Sequence, residues 1–267
     1  MHSLHEATNR SNVDARAAGA LTPTLFADGM QVAARGAFAA LTLDFAVWPG
    51  ELQIVRSRHR ARSAELVDAL LGLVEPGSGS VRFLGKDWRE IARREAFELR
   101  SEVGRVRERG NWMEARSVMD NLLLQARHHT ALPETVLRER AGVLARHFGL
   151  PGLPLLLPSD CAPDDLERAA CVRAFLGRPT LVVLEHPMAF DDSDLLLPLI
   201  DAIQQLRRRG GAAIWFTEHP LHAAEAGLTA DRRFELVDTH LIELGAQDRQ
   251  AEASVDERRE PAISGNG

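Results

Sequence analysis

Apolar residues in the first third of the chain follow strand spacing and then helix spacing. Alternate positions from Leu41 to Val47 are apolar, which predicts a strand that ends at the turn Pro49-Gly50. A second, short strand is predicted over Leu52 to Val55. From Ser63 to Leu73 the apolar residues lie on one helical face, which predicts a helix. A Gly- and Pro-containing turn then leads to another predicted strand at residues 81–83.

The second half of the chain contains two nearly continuous apolar runs, Thr180 to Leu184 and Ala212 to Phe216. Such runs are typical of strands that are buried on both faces of a sheet. The segment Leu195 to Arg209 between them has a helical pattern, so a β-α-β unit with parallel strands is predicted. Residues 108–178 are more polar and helical in pattern. The pattern therefore predicts an α/β core that carries a helical insertion.

Composition limits the classes of function. The chain has 267 residues, is 45% hydrophobic and carries a formal net charge of −6, which supports a folded core and argues against nucleic acid as a partner. Lys86 is the only lysine, so any lysine-dependent chemistry must use it. No apolar run is long enough for a membrane span, and a cytoplasmic location is expected. His128-His129 and His147 have no carboxylate or cysteine at ligand spacing, so no metal site is expected.

Several segments share their order and spacing with one family of proteins. The chain resembles the nucleotide-binding (ATPase) subunit of ABC transporters over about residues 25–245. The matching segments are PGELQIV, ALLGLVEPGSGSVRFLGKDW, SVMDNLLLQARHH, LERAACVRAFLGRPTLVVLEHP and ADRRFELVDTHLIELG. The third of these also resembles the bacterial lipid-transport (MCE-linked) branch of the family.

The resemblance implies a fold and its boundaries. A P-loop NTPase-like ABC core with a parallel sheet, an antiparallel β subdomain and an inserted helical subdomain at about residues 108–175 is expected over residues 25–245. The polar, aperiodic ends at residues 1–24 and 246–267 are expected to be disordered.

The phosphate loop departs from the family pattern at every position that contacts a nucleotide. When the chain is aligned with the phosphate loop of the family, Ser57, Arg60 and Arg62 stand at the three glycine positions. Ser63 stands at the lysine position, and Ala64 stands at the position of the residue whose hydroxyl binds Mg²⁺. A non-glycine residue in a left-handed conformation costs about 1–2 kcal/mol, so the loop is expected to take another shape. Lys86 is separated from the loop by a helix and a strand and cannot replace the missing lysine.

The other positions that the resemblance assigns to nucleotide contact and catalysis have also changed. Glu108 stands at the glutamine that senses Mg²⁺. The signature segment reads Cys161-Ala162-Pro163-Asp164-Asp165, and its Asp164 would oppose a phosphate. Glu185 corresponds to the Walker B aspartate and His186 to the general-base glutamate. Histidine accepts protons near neutral pH but lacks the negative charge that polarises the attacking water.

Two positions keep the family residue, and one cluster has two interpretations. Asp192 matches the aspartate of the D-loop, and His219 matches the switch histidine. Together with the altered residues Glu185 and His186, His219 is a candidate for a vestigial catalytic residue. Four arginines and a histidine between Arg56 and Arg62 are either a remodelled anion site at a helix N-terminus or a solvated basic loop.

Three functions are consistent with this sequence. The preferred hypothesis is a degenerate ABC-type subunit that has lost ATP binding and hydrolysis, with no cofactor, as a structural or regulatory partner of a membrane permease. It would lie at the inner face of the membrane, paired with an intact ABC ATPase subunit or with itself. The first alternative is an active or composite-site ATPase that uses ATP and Mg²⁺. The second is a soluble adaptor whose loop Arg56–Arg62 binds an acidic partner.

Overall fold

A six-stranded, mainly parallel sheet forms the centre of the structure, a computed structural model that describes residues 22–187, 193–218, 228–237 and 239–245. In chain order the strands are β1 (Leu25–Val32), β2 (Leu41–Val47), β3 (Leu52–Ser57), β4 (Ser80–Phe83), β5 (Lys86–Asp87), β6 (Val103–Val106), β7 (Leu181–Glu185), β8 (Ala212–Thr217), β9 (Arg232–Leu236) and β10 (Leu241–Glu243). The α-helices are α1 (Arg60–Leu70), α2 (Arg93–Arg100), α3 (Val118–His129), α4 (Glu134–His147), α5 (Pro163–Leu176) and α6 (Ser193–Arg208).

The central sheet has the order β10-β9-β3-β8-β7-β6, and all its neighbours are parallel except the pair of β9 and β10. Every residue of β7 is buried, and its side chains alternate between two hydrophobic clusters, with Leu181 and Val183 in one and Val182 and Leu184 in the other. The sheet is therefore covered on both faces, which explains the continuous apolar runs. The predicted unit of two parallel strands with α6 between them is confirmed.

A second, antiparallel sheet has the order β2-β1-β4-β5. Its apolar residues join those of α1 and of one face of the central sheet in a single cluster, so α1 lies within that shared core. The expected antiparallel β subdomain is thus present, and it covers the same face of the central sheet as the helix that follows β3.

Helices α3, α4 and α5 pack on one another and form the predicted helical insertion. Helix α5 returns the chain to the central sheet, where it lies against β6. A Cβ atom on Gly104 of β6 would come within 2.1 Å of the Ala174 carbonyl oxygen, so only glycine allows this approach of backbones. Among the described residues, no helix has the length and apolar character needed to cross a bilayer.

The start of α1 differs from the prediction. The sequence predicts a helix from Ser63 to Leu73, whereas α1 runs from Arg60 to Leu70. With arginine and alanine at residues 60–62, which favour helix, nothing holds this segment in an open loop. Only two residues consequently separate Ser57, the last residue of β3, from the first residue of the helix. The predicted disorder at residues 1–24 and 246–267 and the domain boundaries stay predictions.

Candidate functional site

The carboxyl ends of β3, β6, β7 and β8 meet at one edge of the central sheet, where α/β folds bind ligands. This edge brings together all but one of the sequence-predicted site residues that the structure describes. The phosphate-loop positions Ser57, Arg60, Arg62, Ser63 and Ala64 follow or end β3.

Glu108, Glu185 and His186 join them at the ends of β6 and β7. The exception is Asp164, which lies in the exposed first turn of α5. Asp192 and His219 lie outside the described residues, so their predicted roles stay predictions.

The backbone of the phosphate-loop segment is already hydrogen-bonded within the chain. The amides of Arg62 and Ser63 both donate to the carbonyl oxygen of His59, at 2.9 and 3.1 Å. A phosphate cradle needs successive N–H groups that point at the anion. Because α1 begins early, these two N–H groups serve the first helical turn instead.

The Arg62 side chain is buried between the loop and the antiparallel subdomain, with only 1% of the residue exposed. It donates to the Ala39 carbonyl oxygen at 2.6 Å and to the Glu65 carboxylate at 3.2 Å. Its guanidinium also lies 5.7 Å from the centre of the Phe38 ring. This arginine is therefore a structural cation that holds two subdomains together and does not face the ligand edge.

Arg60 joins three of the loops at the ligand edge. Its guanidinium donates to Glu108, after β6, at 2.9 Å and to Glu218, after β8, at 2.8 Å. Glu218 and then Glu108 raise the pKa of Arg60, although burial opposes them. The carboxylate at the glutamine position is thus paired with a side chain from one of the glycine positions of the loop.

Glu185 is held by an arginine that the sequence analysis did not single out. Both carboxylate oxygens accept from Arg105 of the neighbouring strand β6, through Nε and, at 3.0 Å, through Nη2. Arg105 also donates to Asp68 of α1 at 2.5 Å, and Arg107 pairs with the same carboxylate at 3.2 Å. Burial lowers the pKa of Arg105, but Glu185 and then Asp68 raise it overall. Both oxygens of the Walker B position are therefore occupied.

His186 meets Ser63, the residue at the lysine position. Its Nε2 lies 3.1 Å from the Ser63 hydroxyl, while Nδ1 is buried with no hydrogen-bond partner among the described residues. Burial, and then the positive charge of Arg60, lower the pKa of His186, so the imidazole is neutral at pH 7. The backbone at His186 has φ of 48°, an uncommon value for a residue other than glycine.

A cavity of about 240 Å³ lies among these groups. Its wall includes Arg60, Ala64, Asp68, Arg105, Glu108 and His186. The residues present offer a magnesium triphosphate fewer contacts than the family pattern does. Ala64 provides no hydroxyl for the ion, there is no lysine at the loop, and the carboxylate of Glu185 is already paired with Arg105.

Arg105, Asp68 and Glu218 are the site residues that sequence reasoning missed. One signal was available for Arg105, because an arginine between Val103 and Val106 interrupts a buried apolar strand. Its partner is 80 residues away, however, and a single sequence does not show which carboxylate lies beside it. The cluster Arg56–Arg62 was also interpreted as one surface, whereas the structure exposes Arg58 and buries Arg62.

No protein-family model matches the chain. It is 24% identical over 207 residues to the intermembrane phospholipid transport system ATP-binding protein MlaF of Haemophilus influenzae, covering 78% of each chain. It is 27% identical over 186 residues to the nickel import ATP-binding protein NikE of Brucella abortus, covering 68% of this chain and 70% of the relative.

Solved structures show the same fold. A dimeric structure of the ATP-binding cassette MJ0796, bound to ADP and Pi, aligns with a TM-score of 0.72 and 15% identity, over 81% of this chain and 96% of that one. The ATP-binding subunit of an ABC transporter aligns with a TM-score of 0.73 and 18% identity, over 88% and 97%. The predicted resemblance and the predicted ABC-type α/β fold are confirmed.

The comparisons also correct one expectation. The sequence analysis expected no cofactor, and this is wrong, because the relatives are ATP-binding proteins and a cassette of the same fold holds ADP and Pi. That expectation treated the altered residues of the phosphate loop as a sign that the chain binds no nucleotide. Altered contacts change how a ligand is held, and they do not exclude it.

Proposed function

We propose that this chain, which has the fold of an ABC transporter ATP-binding cassette and resembles such subunits in sequence, has lost the ability to hydrolyse ATP. It acts as a structural or regulatory partner of a membrane permease, at the cytoplasmic face of the membrane. The observation that carries the proposal is the pairing of both Glu185 oxygens with Arg105. ATP and Mg²⁺ are the expected ligands, and the proposal concerns hydrolysis alone.

Phosphoryl transfer depends on positioning and on charge that faces the phosphates. At this edge the charges face one another instead, because Arg105 neutralises Glu185 and Arg60 neutralises Glu108. Separating a buried ion pair costs on the order of 3–5 kcal/mol. If a carboxylate had to leave its arginine to face the phosphates, the barrier of the chemical step would rise by this amount. His186 is neutral and hydrogen-bonded to Ser63, so it also lacks the negative charge that activates water.

The partner is expected to be the permease of a lipid transport system. MlaF is named as part of an intermembrane phospholipid transport system, and it covers the chain more fully than NikE does. The similarity of SVMDNLLLQARHH to the lipid-transport branch supports the same choice. Co-expression with a lipid-transport permease should recover the two proteins together from detergent, whereas a nickel permease should not be recovered.

Phosphate release from Mg·ATP by the purified chain tests the loss of hydrolysis. We expect no release above that of buffer, in an assay where an active ABC cassette is measured in parallel. The variant Glu185→Gln should give the same background rate. Turnover on the order of 1 s⁻¹, a typical enzyme rate, that Glu185→Gln abolishes would establish an active ATPase.

One observation favours the active or composite-site alternative. Glu185 and His186 still lie at the phosphate loop, and Ser63 and His186 are in contact. If an intact ABC subunit completes the site, phosphate release should appear on mixing and should fall when Glu185→Gln is made in this chain. The adaptor alternative has less support, because Arg60 and Arg62 already have carboxylate partners within the chain.

A further inference from the structure

A second cavity lies beside β6, the edge strand of the central sheet. Its volume is about 240 Å³, and its wall is formed by the residues after α1, the end of α2, β6 and the loop that follows it, α3 and α5. Glu185, His186 and the phosphate-loop positions are not part of this wall. The cavity is therefore distinct from the one at the ligand edge, although Arg105, Arg107 and Asn111 line both.

The wall of this second cavity carries positive charge only. Among the described residues it contains no carboxylate, and its arginines are Arg100, Arg105, Arg107 and Arg173. The chain as a whole has a net charge of −6, so such a concentration of one sign is local to this place. The apolar residues of the wall exclude water and strengthen the field of the charges. We call this space the arginine cavity.

Two of the four arginines have carboxylate partners outside the wall. Arg105 pairs with Glu185 and with Asp68, and Arg107 pairs with Asp68 at 3.2 Å. The charges of these two arginines are thus balanced within the chain. The ability of the cavity to take a ligand depends on the other two.

Arg173 of α5 has no carboxylate partner in the part of the chain that the structure describes. Its guanidinium donates to the Gly110 carbonyl oxygen and lies 4.5 Å from the centre of the Trp112 ring. Burial, and then the positive charge of Arg107, lower the pKa of Arg173 to about 10. The guanidinium remains protonated at pH 7, with most of its N–H groups not used by an acceptor among the described residues.

Arg100, at the end of α2, is in the same situation. It donates to the carbonyl oxygens of Leu71, at 3.2 Å, and of Gly72, and it lies 5.1 Å from the centre of the Trp88 ring. Burial lowers its pKa as well. Carbonyl oxygens and a ring face replace only part of the water around a cation. Arg100 and Arg173 therefore line one cavity without a counter-charge among the described residues.

We propose that the arginine cavity binds a small dianion of the phosphate type, held chiefly by Arg100 and Arg173. The forked N–H groups of a guanidinium match two oxygens of a phosphate, and each such hydrogen bond is strengthened by charge. The side-chain amides of Asn111 and Gln125 add neutral donors to the same wall. This site goes beyond the proposed function and does not depend on it.

The size of the cavity limits the ligand. About 240 Å³ is far more than the roughly 10–15 Å³ that one water molecule needs, and it is less than the ~300–1,000 Å³ of sites for drug-sized molecules. A phosphate group fits these limits. Because the wall combines α3 and α5 of the helical insertion with α2 and β6, the bound anion would also join the insertion to the core.

Calorimetric titration of the full-length chain with inorganic phosphate, at low ionic strength and without nucleotide, tests the site. We expect one saturable site. Arg173→Met should raise the dissociation constant at least tenfold, because charge-assisted hydrogen bonds are lost. The midpoint of thermal unfolding of the natural chain should rise with phosphate concentration, since the ligand binds only the folded state.

Gln125→Glu is a second variant that does not remove a buried arginine. The Gln125 amide has only long contacts, at 3.5 Å, with the carbonyl oxygens of Arg100 and Ser101, so little is lost by changing it. Its new carboxylate would supply the missing counter-charge from within the chain. The phosphate dissociation constant should therefore rise at least tenfold, and without phosphate the variant should unfold at a higher temperature than the natural chain.

Two controls locate the effect. Gln205→Glu adds the same charge on the exposed side of α6 and should leave the phosphate affinity unchanged. Arg60 lines the cavity at the ligand edge and not the arginine cavity, so Arg60→Met should also keep the affinity. Circular dichroism checks that each variant is folded.

The source of the phosphate group is decided by comparing ligands. Tighter binding of glycerol 3-phosphate than of inorganic phosphate would identify a phosphate monoester as the ligand, and the reverse order would identify free phosphate. Acetate carries a single charge and should bind at least tenfold more weakly than either.

The proposal is wrong if the natural chain shows no saturable binding at millimolar phosphate, or if acetate binds as tightly. It is also wrong if Gln125→Glu is folded and keeps the natural affinity, whatever the behaviour of Arg173→Met. Loss of phosphate binding in Arg60→Met with retention in Gln125→Glu would place the anion at the ligand edge instead. None of these outcomes depends on ATP hydrolysis, so the site and the proposed function are tested separately.

Discussion

Glu185 is a carboxyl group in an almost fully buried position, with 4% of the residue exposed. A buried carboxylate is tolerated when a cation and hydrogen bonds replace its water. Arg105 supplies both, with two of its nitrogens on the two oxygens. The residue that would hold a metal ion in an active cassette therefore has a structural role here, and the strength of that role is measurable.

Replacing Arg105 by methionine should destabilise the fold by about 3–5 kcal/mol, because Glu185 would be left buried and unpaired. Adding Glu185→Leu should recover most of this loss, since an apolar pair of similar volume replaces a buried ion pair. Urea unfolding of the two single variants, the double variant and the natural chain measures the coupling.

Arg94→Met is the matched control, because it breaks an exposed pair with Glu98 and should cost no more than about 0.5 kcal/mol. A double variant as unstable as Arg105→Met alone would show that the arginine acts through packing and not through the charge of Glu185.

His186 makes stability depend on pH. Its pKa in the folded chain lies below the usual 6.5, so below that pH the unfolded state binds the proton more readily. The free energy of unfolding should therefore fall as the pH decreases below about 6.5 and be constant for this group above it. His186→Gln should remove this part of the dependence. Chemical unfolding at several pH values measures it, with the exposed His128→Gln as the control that should keep it.

At the level of elements, the sheet was predictable because β7 and β8 are buried on both faces and are therefore apolar throughout. The start of α1 was not, since a register taken from the family places the helix after an open loop. In this chain Ser57, Arg60 and Arg62 stand at the glycine positions of the loop, and the last two belong to the helix, which begins at Arg60. The partners of Arg105 and Arg60 depend on contacts between distant elements, which local pattern does not record.

The contact between α5 and β6 depends on one glycine. Gly104→Ala would place a methyl group 2.1 Å from a backbone oxygen of α5, which cannot move without the helix. We expect a loss of about 1–3 kcal/mol in the free energy of unfolding. Gly152→Ala is the matched control, because no atom lies within 4 Å of the added carbon. Equal stability of the two variants in urea would show that α5 is free to shift.

Across the whole molecule, the changes at the ligand edge compensate one another. Arg60, at a glycine position of the loop, is paired with Glu108, and Arg105 is paired with Glu185, so both carboxylates have a partner of the opposite sign. Both carboxylates of the ligand edge are consequently partnered within the chain. Restoring the family residues in one part of such a site should therefore not be enough to restore hydrolysis.

Rebuilding the phosphate loop alone should therefore restore nucleotide contacts without restoring hydrolysis. A variant with five substitutions, which we call the five-fold variant, contains Ser57→Gly, Arg60→Gly, Arg62→Gly, Ser63→Lys and Ala64→Ser. We expect Mg·ATP affinity to rise at least tenfold, since backbone N–H groups and a lysine then face the phosphates. Phosphate release should stay at background, because Arg105 still occupies Glu185 and His186 still stands at the base position.

The four-fold variant that keeps Ser63 separates the effect of the glycines and the hydroxyl from that of the lysine. It should bind Mg·ATP more weakly than the five-fold variant, because the Coulomb attraction of the lysine to the phosphates is missing. If the five-fold variant hydrolyses ATP at about 1 s⁻¹, the pairing of Glu185 with Arg105 is not a barrier. The loss of function would then lie in the loop alone, and the charges elsewhere at the ligand edge would have no part in it.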